Sequence, residues 1–161
     1  MQRRLRTYLV EDNQTIRDNL IATLEDLADV QTVGDANTES SASDWLRTNA
    51  QAWDLAIVDI FLLEGNGLGV LEKLRQRPAS QEVVVLSNYA TPAIRERCLQ
   101  LGANQVFDKS QDIDALIDYC MARSSSIQRG YETSILPRIH AALATWIQGR
   151  FIQSIKPFFK A

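Results

Sequence analysis

The sequence predicts a doubly wound α/β domain, (βα)5, in which a five-stranded parallel sheet is covered by helices. Two observations lead to this prediction. Short apolar or β-branched runs alternate five times with segments in which apolar residues recur every three or four positions, the spacing of one helix face. Several of the short runs are apolar at consecutive positions, as expected for strands that helices cover on both sides.

The five strands are predicted from runs of apolar and β-branched residues. They are Leu5–Val10, Val30–Gly34, Leu55–Asp59, Val83–Ser87 and Gln105–Phe107. The stretches Ala56–Val58 and Val83–Leu86 are apolar without interruption. We therefore expect the third and fourth strands to be buried on both faces.

Helices are predicted from apolar residues at helical spacing and from residues that favour helix ends. The apolar residues are Ile16, Leu20, Leu24 and Leu27; Leu68, Leu71 and Leu74; Ile94, Cys98 and Leu101; and Ile113, Leu116 and Cys120. Asn13 and Thr91 stand where N-cap residues are preferred, Pro92 follows at a first helical position, and Gly102 lies just beyond a helix. Residues 40–50 have the weakest helical pattern of the five predicted helices.

The composition indicates one folded domain with an appendage. A chain of 161 residues has room for one typical domain of about 100–150 residues, but not for two. Apolar residues make up 45% and charged residues 23%, which excludes a disordered chain. With a formal net charge of −3, the molecule as a whole lacks the basic field of a nucleic-acid binder.

The cysteines and the length of the apolar runs indicate the cellular environment. Cys98 and Cys120 fall inside predicted helices and have no metal-site spacing with each other or with His140. We expect neither a disulfide framework nor a zinc site, which favours a reducing, cytoplasmic location. No segment approaches the ~18 apolar residues of a membrane span, so we expect no integral membrane segment and no export.

The two ends of the chain differ in charge and in pattern. Residues 1–122 carry 11 basic and 19 acidic side chains, whereas residues 123–161 carry 6 basic and 1 acidic side chain. We expect a domain over 1–123 and, over 124–161, a linker with a hinge at Ser124–Ser126 and an amphipathic helical tail. The apolar stripe of the tail consists of Ile139, Leu143, Ile147, Phe151 and Ile155.

An amphipathic tail needs a surface on which to bury its apolar stripe. Docking on the acidic domain and pairing with a second copy as a homodimer are the two main expectations, and binding to a membrane surface is a third. The tail shows no second helix with a recognisable turn, so sequence-specific DNA binding is not expected.

Polar side chains stand at the carboxyl ends of four predicted strands, where open parallel sheets bind their ligands. Glu11 and Asp12 follow the first strand, Asp59 closes the third, Ser87 closes the fourth, and Lys109 follows the fifth. Three carboxylates that lie together repel one another unless a cation neutralises them, and their hard oxygen atoms suit Mg²⁺. A divalent cation is therefore expected beside these three carboxylates.

This ordered set of strand-end residues resembles the receiver domain of the two-component response regulators. The resemblance covers residues 4–122 and rests on Glu11–Asp12, Asp59, Ser87 and Lys109, each just after or at the end of its strand. It implies a flavodoxin-like sheet with the strand order 2-1-3-4-5, followed in this chain by an extra C-terminal helix.

The resemblance also implies an aspartyl-phosphate switch. Asp59 would take a phosphoryl group from a phosphohistidine on a sensor histidine kinase or a phosphotransfer protein. Glu11, Asp12, Asp59 and the backbone carbonyl of Phe61 would hold the Mg²⁺ ion. Such a protein signals by protein–protein contact, so we do not expect a turnover enzyme beyond its own phosphorylation and dephosphorylation.

By the same resemblance, Ser87 and Lys109 would contact the phosphoryl oxygens. Two positions depart from the family pattern. Val106 stands where receivers usually carry Tyr or Phe, so a readout through the flip of an aromatic ring is not expected. Ser110 stands where many receivers carry proline, and we expect it to cap the last helix instead.

Two aromatic residues stand next to the predicted site. Phe61 and Tyr89 lie two positions beyond Asp59 and Ser87, where receivers flank the route by which water reaches the phosphoryl group. We hypothesise that the two rings slow the hydrolysis of the phosphoryl group.

Two other classes of protein share parts of this pattern. A magnesium-dependent phosphatase of the haloacid-dehalogenase type also uses an aspartate nucleophile, a hydroxyl and a lysine, but it expects D-x-D where this chain has Asp59-Ile60-Phe61. A pseudo-receiver would keep the fold as a binding or oligomerisation module without phosphorylation. Turnover of a phosphate ester would favour the first alternative, and failure to bind Mg²⁺ or a phosphoryl mimic would favour the second.

Overall fold

The computed structural model describes the backbone of residues 3–155, and the side chains of residues 3–131, 133, 134, 137 and 141. Five strands alternate with five helices, which confirms the predicted (βα)5 order. The elements are β1 Leu5–Val10, α1 Gln14–Leu27, β2 Val30–Ala36, α2 Glu39–Thr48, β3 Leu55–Val58, α3 Gly67–Lys73, β4 Glu82–Ser87, α4 Pro92–Gln100, β5 Gln105–Asp108 and α5 Ile113–Ile155.

The five strands form one parallel sheet in the order β2-β1-β3-β4-β5, as predicted. β1 lies between β2 and β3, and the helices that follow β1 and β3 pack on opposite faces of the sheet. The two connections therefore diverge at the carboxyl ends of β1 and β3. In doubly wound sheets this divergence opens the crevice in which ligands bind.

Two apolar cores lie on the two faces of the sheet, because successive side chains of a strand point in opposite directions. In β3, Ala56 and Val58 join the core beneath α2, α3 and α4, whereas Leu55 and Ile57 join the core beneath α1 and α5. All four β3 residues are buried, which confirms that helices cover this strand on both sides.

The helix ends follow the sequence signals. The side chain of Asn13 accepts a hydrogen bond from the backbone N–H of Ile16 at 3.1 Å, and Thr91 caps α4 in the same way. Gly102 follows α4 with φ of 95°, a left-handed conformation that glycine adopts without strain. The element bounds differ slightly from those predicted: β2 runs on to Ala36, and β3 ends at Val58, so that Asp59 follows the strand.

The hinge predicted at Ser124–Ser126 is absent from the described structure, since α5 continues through these residues to Ile155. The hydroxyls of Ser125 and Ser126 each donate to the carbonyl four residues earlier, both at 2.9 Å, so the helix itself satisfies them. Ser124 is only 5% exposed. The expected extra helix is therefore a continuation of α5, and a domain boundary at 123 stays a prediction.

The start of α5 also differs from the expectation. α5 begins at Ile113, and the Ser110 hydroxyl, three residues earlier, donates to Oδ1 of Asp108. The prediction that Ser110 caps this helix is wrong, because its side chain is used within the loop after β5.

The apolar stripe predicted for the tail lies on the last part of α5. The backbone there is helical, but the stripe's side chains, at Ile139, Leu143, Ile147, Phe151 and Ile155, lie outside the described residues. Within residues 3–155, the structure has no helix that combines the length and the apolar character needed to cross a membrane.

Candidate functional site

The loops after β1 and β3 place two carboxylates side by side. The backbone N–H of Glu11 donates to the carbonyl of Ala36 at 2.9 Å, and that of Asp59 donates to Val10 at 2.9 Å, so each residue is anchored to the end of a neighbouring strand. Glu11 is 2% exposed and Asp59 is 6% exposed, whereas Asp12 is exposed. The site is thus a mostly buried acidic pair with a third carboxylate at the surface.

Lys109 lies between the two buried carboxylates. Its Nζ is 2.5 Å from Oε2 of Glu11 and 2.7 Å from Oδ2 of Asp59, and its side chain is only 9% exposed. The backbone N–H of Lys109 donates to the carbonyl of Ser87 at 3.1 Å, which fixes the loop after β5 to the end of β4. Residues that are 98 and 50 positions apart in the chain are therefore in direct contact.

Burial and ion pairing act in opposite directions on these groups. Burial raises the pKa of the Glu11 carboxyl above its ordinary value, although the hydrogen bonds from Lys109 and Asn13 oppose this shift. For Lys109, burial alone lowers the pKa, but the hydrogen bonds and charges of Asp59 and Glu11 outweigh it, so the pKa of the ammonium is raised. Lys109 therefore remains a cation at neutral pH and offsets part of the acidic charge.

The three carboxylates could also hold a metal ion. One oxygen from each of Glu11, Asp12 and Asp59 lies within 4.8 Å of the other two. Three carboxyl side chains share one ammonium here, and carboxylate oxygens are the ligands that Mg²⁺ prefers. The donor set of this site therefore fits a hard divalent cation.

A cavity of about 210 Å³ opens above these carboxylates. Its wall includes Phe61, whose backbone carbonyl is the predicted fourth protein ligand of the metal. Phe61 and Tyr89 are 54% and 59% exposed, and their ring centroids are 4.7 Å apart, inclined at 58°. The two predicted aromatic residues therefore contact each other at the mouth of the cavity.

Ser87 and Val106 are buried and are not among the described residues that line the cavity. Ser87 is fully buried at the end of β4, and its hydroxyl accepts a hydrogen bond from the backbone N–H of Tyr89 at 3.3 Å. The next residue, Asn88, is among the described residues that line the cavity, whereas Ser87 is not. Val106 is 4% exposed in β5, and Phe107 packs on the opposite face of the sheet.

Sequence reasoning missed several residues around the site. Ile16 and Asn88 line the cavity, and Asn13 both lines it and donates its backbone N–H to Oε1 of Glu11 at 3.1 Å. Asn88 directly follows Ser87, the last residue of β4, so its position at a strand end could have marked it as a candidate site residue. Ile16 was assigned to a core stripe by its spacing, and only its 37% exposure separates it from the core.

Comparisons with known proteins identify the family. A sequence model described as the response regulator receiver domain matches residues 8–120. The chain is 29% identical over 119 residues to the photosynthetic apparatus regulatory protein RegA of Cereibacter sphaeroides, covering 74% of this chain and 62% of RegA. It is 26% identical over 99 residues to the response regulator UvrY of Escherichia coli, covering 62% of this chain and 44% of UvrY. The chain thus spans about half the length of the curated relatives it matches.

Solved structures show the same fold. The signal receiver domain of the putative response regulator NarL from Mycobacterium tuberculosis superposes with a TM-score of 0.62 at 23% identity, over 73% of this chain and 96% of that one. The response regulator domain of Thermotoga maritima CheB superposes with a TM-score of 0.65 at 20% identity, over 76% of this chain and 98% of that one.

Proposed function

The chain belongs to the response regulator receiver domain family of two-component systems, and we propose that it is a switch whose phosphoryl acceptor is Asp59. The observation that supports this assignment best is the contact of Lys109 with both Asp59 and Glu11 at the carboxyl ends of the parallel strands. A nearly buried carboxylate, a cation and two further carboxylates beside an open cavity form the inventory that phosphoryl transfer requires.

In the proposed reaction, one carboxylate oxygen of Asp59 attacks the phosphorus of a phosphohistidine. An O–P bond forms, the P–N bond breaks, and the imidazole of the donor keeps the electron pair. Lys109 stays cationic beside the reacting carboxylate and partly neutralises the charge on the transferred group. No histidine base is needed, because a carboxylate nucleophile has no proton to lose when it attacks phosphorus.

We propose that the divalent cation is Mg²⁺, held by Glu11, Asp12, Asp59 and the carbonyl of Phe61. When bound, Mg²⁺ supplies charge neutralisation for the phosphoryl oxygens. The protein's own contribution is to hold three carboxylate oxygens close together and to leave a cavity above them that admits the phosphoryl group.

The charge of the phosphoryl group would then change the contacts of Ser87 and Lys109. Phosphorylation adds roughly −1.5 to −2 charges, and each new hydrogen bond to a charged group contributes about 1.5–3 kcal/mol. Contacts from Ser87 and Lys109 therefore supply about 3–6 kcal/mol before the loss of their present contacts is subtracted. This is comparable with the ~5.5 kcal/mol needed to invert an equilibrium between two conformations from 1:99 to 99:1.

The proposed partners follow from this chemistry. The phosphodonor is a sensor histidine kinase or a phosphotransfer protein, and the protein acts by protein–protein contact in the cytoplasm, without turning over a substrate. The tail of residues 124–161 is proposed to pair with a second copy. Because α5 runs on to Ile155 without a turn, a surface on another molecule is favoured over the chain's own domain.

The direct test is incubation of the full chain with Mg²⁺ and acetyl phosphate, followed by intact-mass measurement. We expect one added phosphoryl group on the wild type and none on Asp59→Asn. Asp44→Asn, which removes an exposed carboxylate on α2, is the matched control and should be labelled like the wild type.

The same samples separate the alternative functions. A wild type that takes no phosphoryl group and binds no beryllofluoride with Mg²⁺ would contradict the proposal and leave the pseudo-receiver. Repeated hydrolysis of a small phosphate ester, with Asp59 required for each turnover, would instead favour the phosphatase.

A further inference from the structure

The side chain of Arg95, in the first turn of α4, connects three separate segments of the chain. Its Nε donates to the carbonyl of Ala90 at 2.9 Å, and its Nη1 donates to the carbonyl of Val106 at 2.6 Å. Its Nη2 lies 3.2 Å from Oδ2 of Asp112, with which it forms an ion pair. We call these four residues the Arg95 bridge; it joins the loop after β4, the strand β5 and the residue before α5.

The Arg95 bridge holds the two chain segments that carry Ser87 and Lys109. Ala90 is three residues after Ser87, while Val106 and Asp112 stand three residues before and three residues after Lys109. The Arg95 bridge therefore connects the loop after Ser87 to the chain on both sides of Lys109.

The loop around Lys109 is itself held by a chain of hydrogen bonds. Oδ2 of Asp112, the oxygen that Arg95 contacts, also accepts from the backbone N–H of Asp108 at 2.8 Å. Oδ1 of Asp108 accepts from the backbone N–H of Ser110 at 2.8 Å. Arg95 thus contacts a loop in which residues before and after Lys109 are hydrogen-bonded to one another. A displacement of that loop therefore has to change the contacts of Arg95.

The bridge accompanies an arrangement in which Lys109 and Ser87 already have partners within the protein. In it, Lys109 is paired with Glu11 and Asp59, and the Ser87 hydroxyl accepts from the N–H of Tyr89. Ser87 does not line the cavity, so it has to shift to reach a phosphoryl group on Asp59, and the residues that follow it in the loop after β4 shift with it while Lys109 leaves Glu11. The carbonyl of Ala90, next in the chain after Tyr89, is then drawn away from the Arg95 guanidinium.

We propose that Arg95 is a positioning residue that opposes this rearrangement and so sets how readily the site accepts a phosphoryl group. This inference rests on the proposed function. Val106 has no aromatic ring with which to link β5 to the loop after β4, and the guanidinium makes that link through the carbonyls of Ala90 and Val106. A residue that stabilises only the arrangement in which Lys109 is paired with Glu11 lowers the affinity of the site for a phosphoryl mimic by the same factor.

The test compares Arg95→Met with Arg97→Met in the full chain. Arg97 lies on the same helix and is exposed, so its substitution removes the same charge without touching the bridge. Beryllofluoride affinity is measured with saturating Mg²⁺ by titration calorimetry, and amide hydrogen exchange is measured over residues 88–91 and 108–112. We expect Arg95→Met to bind beryllofluoride about tenfold more tightly and to exchange faster in both segments, while Arg97→Met matches the wild type.

Each outcome decides the inference. A merely structural role for Arg95 would loosen the site, so unchanged or weaker binding in Arg95→Met overturns the proposal. Should Arg95→Met fail to fold, Arg95→Lys decides in its place, because lysine keeps the charge but cannot reach three acceptors with a planar fork. The proposal requires that Arg95→Lys, too, binds beryllofluoride more tightly than the wild type. A wild type that binds no beryllofluoride overturns the proposed function and this inference with it, a failure that is visible without any variant.

Discussion

Lys109 shows how a single side chain can hold the site together before any phosphoryl group is present. Two carboxylates that are almost fully buried cost free energy unless a cation lies between them, and Lys109 contacts both. The same ammonium is the group proposed to contact the phosphoryl oxygens. Its contact with Glu11 is therefore the one that phosphorylation has to displace.

The rings of Phe61 and Tyr89 are predicted to protect the phosphoryl group from water. They contact each other at the mouth of the cavity, so removal of either ring widens the route to Asp59. We expect Phe61→Ala and Tyr89→Ala to speed the loss of the phosphoryl group by up to about tenfold, which is about 1.4 kcal/mol in the barrier. The decay of the acyl phosphate after removal of the donor measures this rate.

The exposed Leu63 provides the control for this experiment. It is 67% exposed in the loop after β3 and is not among the described residues that line the cavity. Leu63→Ala should leave the decay rate unchanged. Equal decay in all four proteins would mean that the rings do not protect the phosphoryl group.

Asp54 is predicted to make the free energy of unfolding depend on pH in the acid range. Its side chain is 8% exposed and accepts hydrogen bonds from Arg3 and from the side chain and backbone of Arg6. Burial alone raises the pKa of Asp54, but the hydrogen bonds and charge of Arg6 outweigh it, so the pKa of the folded state is lowered. The stability from this group is present above the unfolded pKa of about 3.9 and is lost as pH falls through the lower folded value.

The measurement is the melting temperature of the wild type and of Asp54→Asn between pH 7 and pH 3. At pH 7 the variant should be less stable by about 1–3 kcal/mol, because buried hydrogen bonds lose a charged acceptor. The difference should shrink at the acid end of the range. Asp44→Asn, at an exposed position, should follow the wild type; a difference for Asp54→Asn that stays constant with pH would contradict the assignment.

At the scale of elements, the close packing of the start of α3 against the loop after β3 positions Asp59, the proposed phosphoryl acceptor. The backbone N–H of Gly67, the first residue of α3, donates to the carbonyl of Ile60 at 2.8 Å. A Cβ placed on Gly67 would meet the backbone carbonyl of Asp59. The start of the helix therefore lies directly against the residue proposed to be phosphorylated.

Gly67→Ala is predicted to disturb the site and the fold together. The methyl group has to displace the backbone of Asp59, so we expect a loss of about 1–3 kcal/mol in the free energy of unfolding and weaker Mg²⁺ binding. Urea denaturation and Mg²⁺ titration measure the two effects. Gly130→Ala is the control, since nothing lies within 4 Å of its Cβ position in α5, and it should gain about 0.5–1 kcal/mol. A neutral Gly67→Ala would show that the backbone there can move without cost.

At the scale of the whole molecule, the long α5 and the charge difference along the chain determine what the tail can contact. Residues 1–122 carry a formal charge of −8 and residues 123–161 carry +5. Docking of a basic tail on the acidic domain of another copy depends on this charge, whereas pairing of two apolar stripes does not.

Sedimentation velocity over a range of protein concentrations tests the proposed homodimer. We expect a concentration-dependent dimer that persists when the salt is raised from about 0.05 M to 0.5 M, because the pairing of apolar stripes is insensitive to screening. Loss of the dimer at high salt would favour docking on the acidic domain. A monomer at every concentration and salt would contradict the proposed pairing.

The fold and much of the candidate site could be predicted because both depend on local sequence. The apolar run of β3 and the cap at Asn13 are properties of neighbouring residues, and the polar residues at strand ends meet because parallel strands share one edge. The hinge at Ser124–Ser126 was predicted wrongly, since α5 runs through all three residues. The hydroxyls of Ser125 and Ser126 donate within the helix, and that of Ser124 donates to Asp29. A run of three serines looks the same in a loop and in such a helix.

What the sequence by itself determined is the order of strands and helices, the two-sided burial of the sheet, and the edge at which Glu11, Asp59 and Lys109 come together. Only the tertiary structure decided that Lys109 bridges both carboxylates, that Ser87 is fully buried, and that Arg95 joins the loops around them. The physical reason is distance along the chain. A periodic pattern depends on neighbouring residues, whereas a hydrogen bond depends on where the fold places atoms from segments far apart in sequence.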